Sequence, residues 1–317
     1  MSVRRLMAIA RAEVLAGWAG PLWWLLVVAA LGFTAAVNPA ALIPTGDAAI
    51  GGVRPSPNAP LALAQVFALS GTLLYTFFAA LLAGLSVIRD EEAGVSELLH
   101  ATPLSPSEYV LGKLAGSSFL LGTVLALQVV VAVLLFERTG SSSPAGSAPG
   151  LAPLAPYLVA ALVFAAPTIL LVTCLALAVG ERSRRALAVG ALATGLFVVT
   201  LGVFWSWNPA GLSPGFERVV TILDPSGVRW LRRTVFAIDR GVAFYNQAPI
   251  PFDVTFLLNR LLALGVSGLA IGLTIGHCRR RVRGRVGWKP ARRGSSVHQS
   301  SSASPLASAS SSRWAGV

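Results

Sequence analysis

The chain has 317 residues, of which 55% are hydrophobic and only 12% are charged, and its mean hydropathy is +0.71. A soluble domain carries about 25% charged residues, so this composition excludes an ordinary soluble protein. The missing charge leaves long uncharged runs, which is the pattern of membrane-spanning helices.

The net charge of +12 owes much to "RRRVRGRVGWKPARRG", which directly follows the last apolar run. Such a cluster anchors the cytoplasmic end of a membrane protein and contacts anionic lipid. No base-reading module accompanies it, so the sequence predicts the lipid bilayer as a partner and no nucleic acid. Cys174 and Cys278 lie in or beside apolar runs and predict no disulfide framework.

Residues 1–20 predict a basic amphipathic helix that lies on the cytoplasmic surface of the membrane. Apolar residues from Val3 to Trp18 recur at helical spacing, whereas Arg4, Arg5 and Arg11 lie off that stripe. A cleavable signal peptide is the alternative, which the long polar leader disfavours.

The region 21–277 carries six apolar runs, each long enough to cross a hydrocarbon core of about 30 Å. We therefore predict an all-α, polytopic membrane protein with six transmembrane helices. Asp and Glu are missing from the span centres, which disfavours an ion-coupled carrier. The predicted spans are about 21–37, 62–88, 109–136, 154–179, 186–205 and 254–276.

The distribution of positive charge predicts the orientation of these spans. Six spans that cross the membrane in alternating directions leave both termini on one side. Most of the 25 Lys and Arg then fall on that side. The positive-inside rule then places both termini in the cytoplasm of a multi-pass protein of the cell membrane. Residues 278–317 become a cytoplasmic tail, basic at first, then Ser-rich and predicted to be disordered.

The loop 206–253 is predicted to hold a second interfacial helix, on the outer face. Asp224 would cap this helix and Pro225 would open it. Its predicted apolar stripe consists of Val228, Leu231, Val235 and Ile238.

The last predicted span carries glycines at every fourth position, at Gly268, Gly272 and Gly276. Such a stripe lets another backbone approach closely. We interpret it as a surface for helix packing within the subunit in preference to a dimerisation motif.

Motifs of enzymes are absent from the sequence. It contains no G-x-x-x-x-G-K-[ST] phosphate loop and no H-E-x-x-H, and His100, His277 and His298 show no metal spacing. Ser267 lies in "LGVSGLAIG" without a membrane-embedded His partner, so we interpret it as a packing residue rather than a protease nucleophile. We therefore expect no enzyme activity, no metal and no cofactor in this chain.

The polar segment 89–113, "RDEEAGVSELLHATPLSPSEYVLGK", stands between two apolar runs. Gly94 suits the left-handed position that ends a helix, and a short helix is predicted from about Val95 to Ala101. Ser105-Pro106-Ser107-Glu108 is a capping box with Pro at the first helical position of the third span. These features predict a short cytoplasmic helix braced between two spans and suited to docking a partner. An ordinary loop whose charges only fix topology is the alternative.

This segment resembles the cytoplasmic coupling loop of type 2 ABC (ATP-binding cassette) exporter permeases. In that family the second span runs into R-D-x-E-x-G-[TS]-x-E-L-L, followed by a T-P-L-S turn and a G-K pair. Six spans with an amphipathic N-terminal helix extend the resemblance over most of the chain. The matching residues are Arg89, Asp90, Glu92, Gly94, Ser96, Glu97, Leu98, Leu99, Thr102, Pro103, Leu104, Ser105, Gly112 and Lys113.

The resemblance implies an exporter subunit that pairs with a second permease copy or paralogue and with separate cytoplasmic ATPase subunits, which bind the ATP. A non-transporting membrane scaffold or assembly factor is the alternative. The uncharged spans favour an amphipathic or lipophilic cargo. We expect the ATPase to dock on Glu92, Glu97, Leu98, Leu99 and His100. The geometry of the hairpin would depend on Gly94, Pro103, Ser105, Pro106 and Glu108.

A second stretch carries a weaker resemblance. "LDPSGVRWLRRTVF" followed by "FLLNRLLALGVSG" resembles the membrane half of bacterial permeases that are fused to a metallo-aminopeptidase. Ser226 stands where that family leads us to expect an aromatic residue, and the sequence contains no peptidase motif. A proteolytic role is therefore not expected.

Overall fold

A computed structural model describes residues 2–43, 45, 54–94, 104–139, 154–206 and 213–286, with the side chains described as far as Arg281. Over these ranges the secondary structure is entirely helical, without a strand. Five helices are long and apolar enough to cross a membrane, or six if a bent pair at the N-terminus counts as one span. The coarse prediction of an all-α protein with several membrane-spanning helices is confirmed.

Apart from the short 3-10 helix Pro39–Leu42, the helices of the described ranges are numbered α1 to α10 in chain order. Four of them, α3, α5, α6 and α8, contain a π-turn, in which an extra residue widens the helix. Their bounds are α1 Val3–Ala19, α2 Pro21–Ala36, α3 Pro60–Glu92, α4 Pro106–Thr139, α5 Leu154–Ser183, α6 Ala186–Ser206, α7 Pro214–Leu223, α8 Val228–Trp230 with its π-turn Leu231–Val235, α9 Val242–Gln247 and α10 Val254–Val286.

The long helices form a bundle with two ends. The hairpin end is the end at which α3 stops and α4 starts, and Arg184, just after α5, lies there because it pairs with Glu91. At the opposite end, the Tyr157 hydroxyl near the start of α5 donates to Glu137 Oε1 near the end of α4, over 3.0 Å. Within the bundle α1 packs along α4, α3 packs against α5 and α6, and α5 packs against α10.

The first predicted span is a short helix that meets α1 at a sharp bend. The axes of α1 and α2 differ by 71°, and Pro21 opens α2 because its missing N–H costs nothing at a first helical position. The 16 residues of α2 extend over about 24 Å, less than the hydrocarbon core. Trp23 ties α2 to α4 through an indole N–H that donates to Leu120 O over 3.1 Å.

Helices α7 and α8 are fixed to the start of α10 by hydrogen bonds to carbonyl groups in the turn between them. Asn259 Nδ2 donates to Asp224 O over 2.6 Å, and Arg260 Nη1 donates to Pro225 O over 3.1 Å. The fully buried Trp230 donates its indole N–H to Asp253 Oδ1 over 2.8 Å. The segment from α7 to α8 is thus an integral layer of the fold.

The structure corrects the predicted start of the helix in this loop. α8 begins at Val228 instead of Pro225, because the Asp224 carboxylate holds the residues between them in a turn. Its Oδ1 accepts the Ser226 N–H over 3.0 Å, and its Oδ2 accepts the Arg229 N–H over 2.8 Å. The N-cap residue is therefore Gly227 and not Asp224 as predicted, although the Asp224 carboxylate still accepts an N–H of the first turn.

The predicted apolar stripe of α8 faces the protein interior. Ile238 lies beyond the helix and is 69% exposed, so it does not belong to the stripe. Buried side chains are those of Val228, Leu231 and Val235. An exposed apolar face, as an interfacial helix requires, is instead found on α7.

That face of α7 consists of three large apolar side chains at helical spacing, each about half exposed: Phe216, Val219 and Leu223. This helix of ten residues was not predicted from the sequence.

The glycine stripe of α10 also differs from its prediction. Among the described residues, a Cβ added at Gly268 or Gly272 would have no neighbour within 4 Å, and one at Gly276 would meet only Arg280 of the same helix. The interpretation that these glycines pack against another helix of the subunit was therefore wrong. They lie on an outward face beside the exposed side chain of Leu269.

Candidate functional site at the hairpin end

Both legs of the hairpin end in the local structures that the sequence predicted. Gly94 follows α3 with a φ of +67°, a left-handed conformation that strains other L-residues. On the return leg, the Glu108 N–H donates to Ser105 Oγ over 3.2 Å, and the Ser105 N–H donates to Glu108 Oε2 over 3.0 Å. This reciprocal pair is the predicted capping box, and Pro106 is the first residue of α4.

The tip of the hairpin carries most of the predicted docking residues. Glu92, the last residue of α3, is exposed to solvent. The other assigned residues lie outside the described ranges, namely Glu97, Leu98, Leu99, His100 and Pro103. The docking role of all these residues stays a prediction, whereas the geometry of Gly94 and of the capping box is observed.

Lys113 is the centre of a buried ion-pair cluster beneath the hairpin. Its ammonium group lies 2.8 Å from Glu13 Oε2 of α1 and 2.7 Å from Asp90 Oδ2 of α3, and it donates to Ser86 O over 2.9 Å. Lys113 is 2% exposed and Glu13 is 6% exposed. Charged side chains are buried this deeply only when they are paired. The cluster thus joins three helices at one cation.

Two more side chains complete this cluster. The Tyr109 hydroxyl donates to Asp90 Oδ2 over 3.1 Å, and Arg89 Nη2 lies 3.2 Å from Glu13 Oε1. Arg89 is half exposed, so its pair with Glu13 is screened by solvent and contributes little beside the buried Lys113 pairs.

Close packing between α1 and α4 brings Glu13 within reach of Lys113. A Cβ added at Gly112 would lie 2.8 Å from Ile9 Cβ, and one at Gly116 would lie 2.6 Å from Glu13 Cβ. Both distances are shorter than real Cβ contacts, so a larger residue at either position would push the helices apart. At the start of α1, Arg5 Nη1 lies 4.0 Å from Glu108 Oε2, and the Ser2 N–H donates to Glu108 Oε1.

A second ion-pair cluster connects the end of α3 to α5 and α10. Arg184 pairs with Glu91, and its Nη2 lies 3.1 Å from Glu181 Oε1, while Arg281 Nη1 of α10 lies 3.9 Å from the same oxygen. Arg184 has a φ of +51°, a left-handed conformation that costs a residue with a side chain about 1–2 kcal/mol. The ion pairs help to hold it there.

The ion pairs tie the hairpin to the rest of the bundle. Both legs of the hairpin are tied to neighbouring helices, through Lys113 to α1 and through Glu91 to the end of α5. These contacts connect the hairpin legs α3 and α4 with α1 and with the end of α5. In the described part of the chain, no group of three or more His, Cys, Asp or Glu could hold a metal ion.

Sequence reasoning missed the partners of this network. Arg89, Asp90 and Lys113 were singled out only as parts of a motif, and Glu13, Tyr109, Glu181 and Arg184 were given no role. One signal was present: Glu13 is the only acidic residue among the first 46 residues of the chain.

The two stretches of the second resemblance lie against each other at the opposite end of the bundle. Asn259 and Arg260 of the later stretch donate to carbonyl groups of Asp224 and Pro225 in the earlier one. The Ser226 hydroxyl donates to Asp224 Oδ1 over 2.7 Å and is fully buried. The serine is thus a structural part of the turn.

No family model and no curated protein matches this chain.

Proposed function

We propose that this chain is the permease subunit of a type 2 ABC exporter, coupled through the hairpin 89–108 to a separate cytoplasmic ATPase. The finer topology belongs to this proposal. It comprises six spans, with α2 as the first, α1 as a cytoplasmic interfacial helix, α7 as an outer interfacial helix, and both termini in the cytoplasm of a multi-pass protein of the cell membrane. The chain itself would hydrolyse no ATP and hold no cofactor.

The observation that carries the proposal is the bracing of both hairpin legs. A connecting loop that only fixes topology needs charges on its surface. Here Lys113, Glu13 and Asp90 form a buried cluster under the hairpin instead. Ion pairs in such places are weak sources of net stability, so their value would lie in fixing the orientation of the helices. A fixed orientation is what a segment needs if a partner is to push on it.

The path of the proposed movement follows from the contacts. Closure of the ATPase dimer would displace the hairpin tip, and α3 and α4 would move with it. Lys113 would pass the displacement to α1 through Glu13, and Glu91 would pass it to the end of α5 through Arg184. Since α5 packs against α10, the movement would extend across the bundle.

The proposed complex contains two permease subunits, either two copies of this chain or this chain and a paralogue. The outward glycine face of α10 is one surface on which a second subunit would fit closely. The proposed cargo is amphipathic or lipophilic. Neutral polar groups are buried between the spans, as in the hydrogen bond of 2.9 Å from the Tyr75 hydroxyl to Gln128 Oε1.

The deciding experiment is co-purification of the full chain with a candidate ABC ATPase from the same genome. The test variant replaces both Leu98 and Leu99 with Asp. Burial of one leucine side chain contributes about 1.5–3 kcal/mol, and the new carboxylates would be unpaired at the interface. We expect the variant to reach the membrane at the wild-type level but to lose the ATPase and its cargo-stimulated ATP turnover.

The matched control replaces Ser142 and Ser143 with Asp, which adds the same two charges to the loop predicted on the other side of the membrane. This control should keep the ATPase. Retention of the ATPase with full turnover by the Leu98/Leu99 variant would refute the coupling role. An ATPase that binds the wild-type chain without any response to cargo would favour the scaffold alternative.

A further inference from the structure

A cavity of about 500 Å³ lies at the end of the bundle opposite the hairpin, between α3, the end of α6 and α8. Ligand sites in proteins have volumes of about 300–1,000 Å³. The lining residues on which the inference depends are Gln65, Trp205, Arg229, Arg232, Arg233 and Phe236. We name this site the arginine cavity.

The three arginines share one side of α8, because positions 229, 232 and 233 are related by helical spacing. Arg229 is 3% exposed, and its Nη1 donates to Val203 O over 3.1 Å. Arg232 donates to Trp205 O, and its guanidinium lies 5.5 Å from the centre of the Trp205 ring. The carbonyl groups at the end of α6 therefore anchor the cationic side of the cavity.

The described lining of the arginine cavity is positively charged. It includes three guanidinium groups and no carboxylate. Glu217, on α7, lies 2.6 Å from Arg233, and the charges of Glu217 and of the buried Asp224 also act on Arg229. Burial and the nearby charge of Arg233 lower the pKa of Arg229, whereas Glu217 and Asp224 act in the opposite direction; the net lowering is consistent with a cost of burying this charge. An anion in the cavity would reduce that cost.

Gln65 adds a second kind of recognition. It is 3% exposed, and its Oε1 has no hydrogen-bond partner among the residues that the structure describes. A buried carbonyl oxygen without a donor is unfavourable, and a ligand hydroxyl would satisfy it. Trp205 and Phe236 supply apolar lining for the remainder of such a ligand.

We infer that the arginine cavity binds a phosphodiester headgroup that carries a free hydroxyl, as in an anionic glycerophospholipid. The phosphate would contact the guanidinium groups, which match its geometry, and the hydroxyl would donate to Gln65 Oε1. The position at the ends of the spans, near the exposed apolar face of α7, favours a lipid as the source of the headgroup. The inference does not depend on the proposed transport function.

The test uses the purified full chain in detergent micelles. Binding of phosphatidylglycerol, phosphatidylmethanol and phosphatidylcholine with the same acyl chains is measured by native mass spectrometry and by the shift of the thermal unfolding midpoint. Phosphatidylmethanol has the phosphodiester without the hydroxyls, and phosphatidylcholine has no net negative charge. Glycerol 3-phosphate is added as a competitor to separate a lipid from a soluble phosphate ester.

The first variant is Arg232→Gln, because Arg232 is exposed and its loss leaves no buried charge. It should bind phosphatidylglycerol about tenfold more weakly or worse, as expected for the loss of a charge-assisted hydrogen bond. The matched control is Arg218→Gln on α7, which removes the same charge from an exposed side chain outside the cavity. This control should bind like the wild type.

The second variant, Gln65→Met, tests the hydroxyl. It should reduce binding of phosphatidylglycerol to the level of phosphatidylmethanol and leave phosphatidylmethanol binding unchanged. Competition by glycerol 3-phosphate would support a site for the headgroup alone, and failure to compete would support a site for the intact lipid. Equal binding of all three lipids, or equal losses in Arg232→Gln and Arg218→Gln, would overturn the inference.

Discussion

Lys113 is the residue on which the hairpin end depends most. It is the single cation within 3 Å of both Glu13 and Asp90 in the described structure, and all three side chains approach each other from different helices. Breaking a buried ion pair by removing one partner leaves an uncompensated charge, which is far more harmful than the pair is stabilising.

Lys113→Met should therefore destabilise the fold by about 3–5 kcal/mol, because it leaves two carboxylates buried together. Glu13→Gln should cost less, since Lys113 keeps Asp90 as a partner at 2.7 Å. The measurement is the free energy of unfolding in detergent, followed by tryptophan fluorescence. Arg185→Gln removes an exposed charge at the same end and should stay within about 0.5 kcal/mol of the wild type. Equal effects of Lys113→Met and Glu13→Gln would contradict the central place of Lys113.

Gly94 permits a second test at the residue scale, because a substitution there would strain only the backbone conformation. No heavy atom lies within 4 Å of a Cβ added there, but its φ is +67°. Gly94→Val should misdirect the hairpin and weaken retention of the ATPase, at a conformational cost of about 1–2 kcal/mol. Gly94→Asn should be nearly silent, since Asn tolerates the left-handed conformation. Similar losses in both variants would show that the conformation of Gly94 is not what matters.

Local features of the hairpin could be predicted from the sequence, but its long-range partners could not. Gly94 and the capping box from Ser105 to Glu108 involve neighbours along the chain, so residue type and spacing indicate them. The pair of Glu13 and Lys113 joins residues that are 100 positions apart. No pattern within one helix indicates which distant charge will face it, and the same limit hid the arginine cavity.

At the scale of helices, the packing of α1 on α4 distinguishes this structure from a loose surface helix. The sequence indicated an amphipathic helix, yet the side that faces α4 includes Glu13 and Gly17, both buried. Val3 and Met7, which belong to the predicted apolar stripe, are exposed instead. Periodicity indicated that α1 has two faces. In the structure the face that packs on α4 is the one that carries Glu13, the partner of Lys113.

Gly116→Val should detach α1 from α4, because the added Cβ would lie 2.6 Å from Glu13 Cβ and 2.8 Å from Ala10 O. Gly122→Val on the same helix is the matched control, since a Cβ there has no neighbour within 4 Å. The readout is trypsin cleavage after Arg11 of α1 in the detergent-solubilised chain. Cleavage should be faster in Gly116→Val only, and equal rates in the two variants would argue against close packing.

The long helices were predicted more reliably than the short ones. A span reveals itself through twenty or so apolar residues, and five helices of the structure meet that standard. α7 has only ten residues, and α8 has three residues before its π-turn. The burial of both helices depends on tertiary contacts. The Asn259 amide and the Asp224 carboxylate fix these contacts. The sequence indicated Asp224 only as a local helix cap and gave no signal for Asn259.

For the whole molecule, orientation in the membrane is the property on which the proposed function depends. A hairpin that meets an ATPase must face the cytoplasm. The contacts place Gly94, Ser105 and Arg184 at one end of the bundle, and Pro60 and Thr139 at the other. This arrangement is the same whichever end faces the cytoplasm.

Thiol labelling in intact cells tests the orientation. Single cysteines at Ser142 and Ala237, in a chain without Cys174 and Cys278, should react with an impermeant reagent, because the positive-inside rule puts both positions outside. A cysteine at Ser96 should react only after permeabilisation. Labelling of position 96 in intact cells would show that the topology is the opposite of the predicted one. The hairpin could then not contact a cytoplasmic ATPase.

The distance along the chain between Glu13 and Lys113 has a consequence for biosynthesis. Chains grow at about 5–20 residues per second, so the ribosome makes Glu13 roughly 5–20 s before its partner. During that time the partner of Glu13 is missing, and an unpaired carboxylate is costly to remove from water, so we expect α1 to stay at the membrane surface. It reaches its final position only after α4 has inserted. The first helix to be made is therefore among the last to settle, and a nascent chain arrested before residue 113 should expose α1 to added protease.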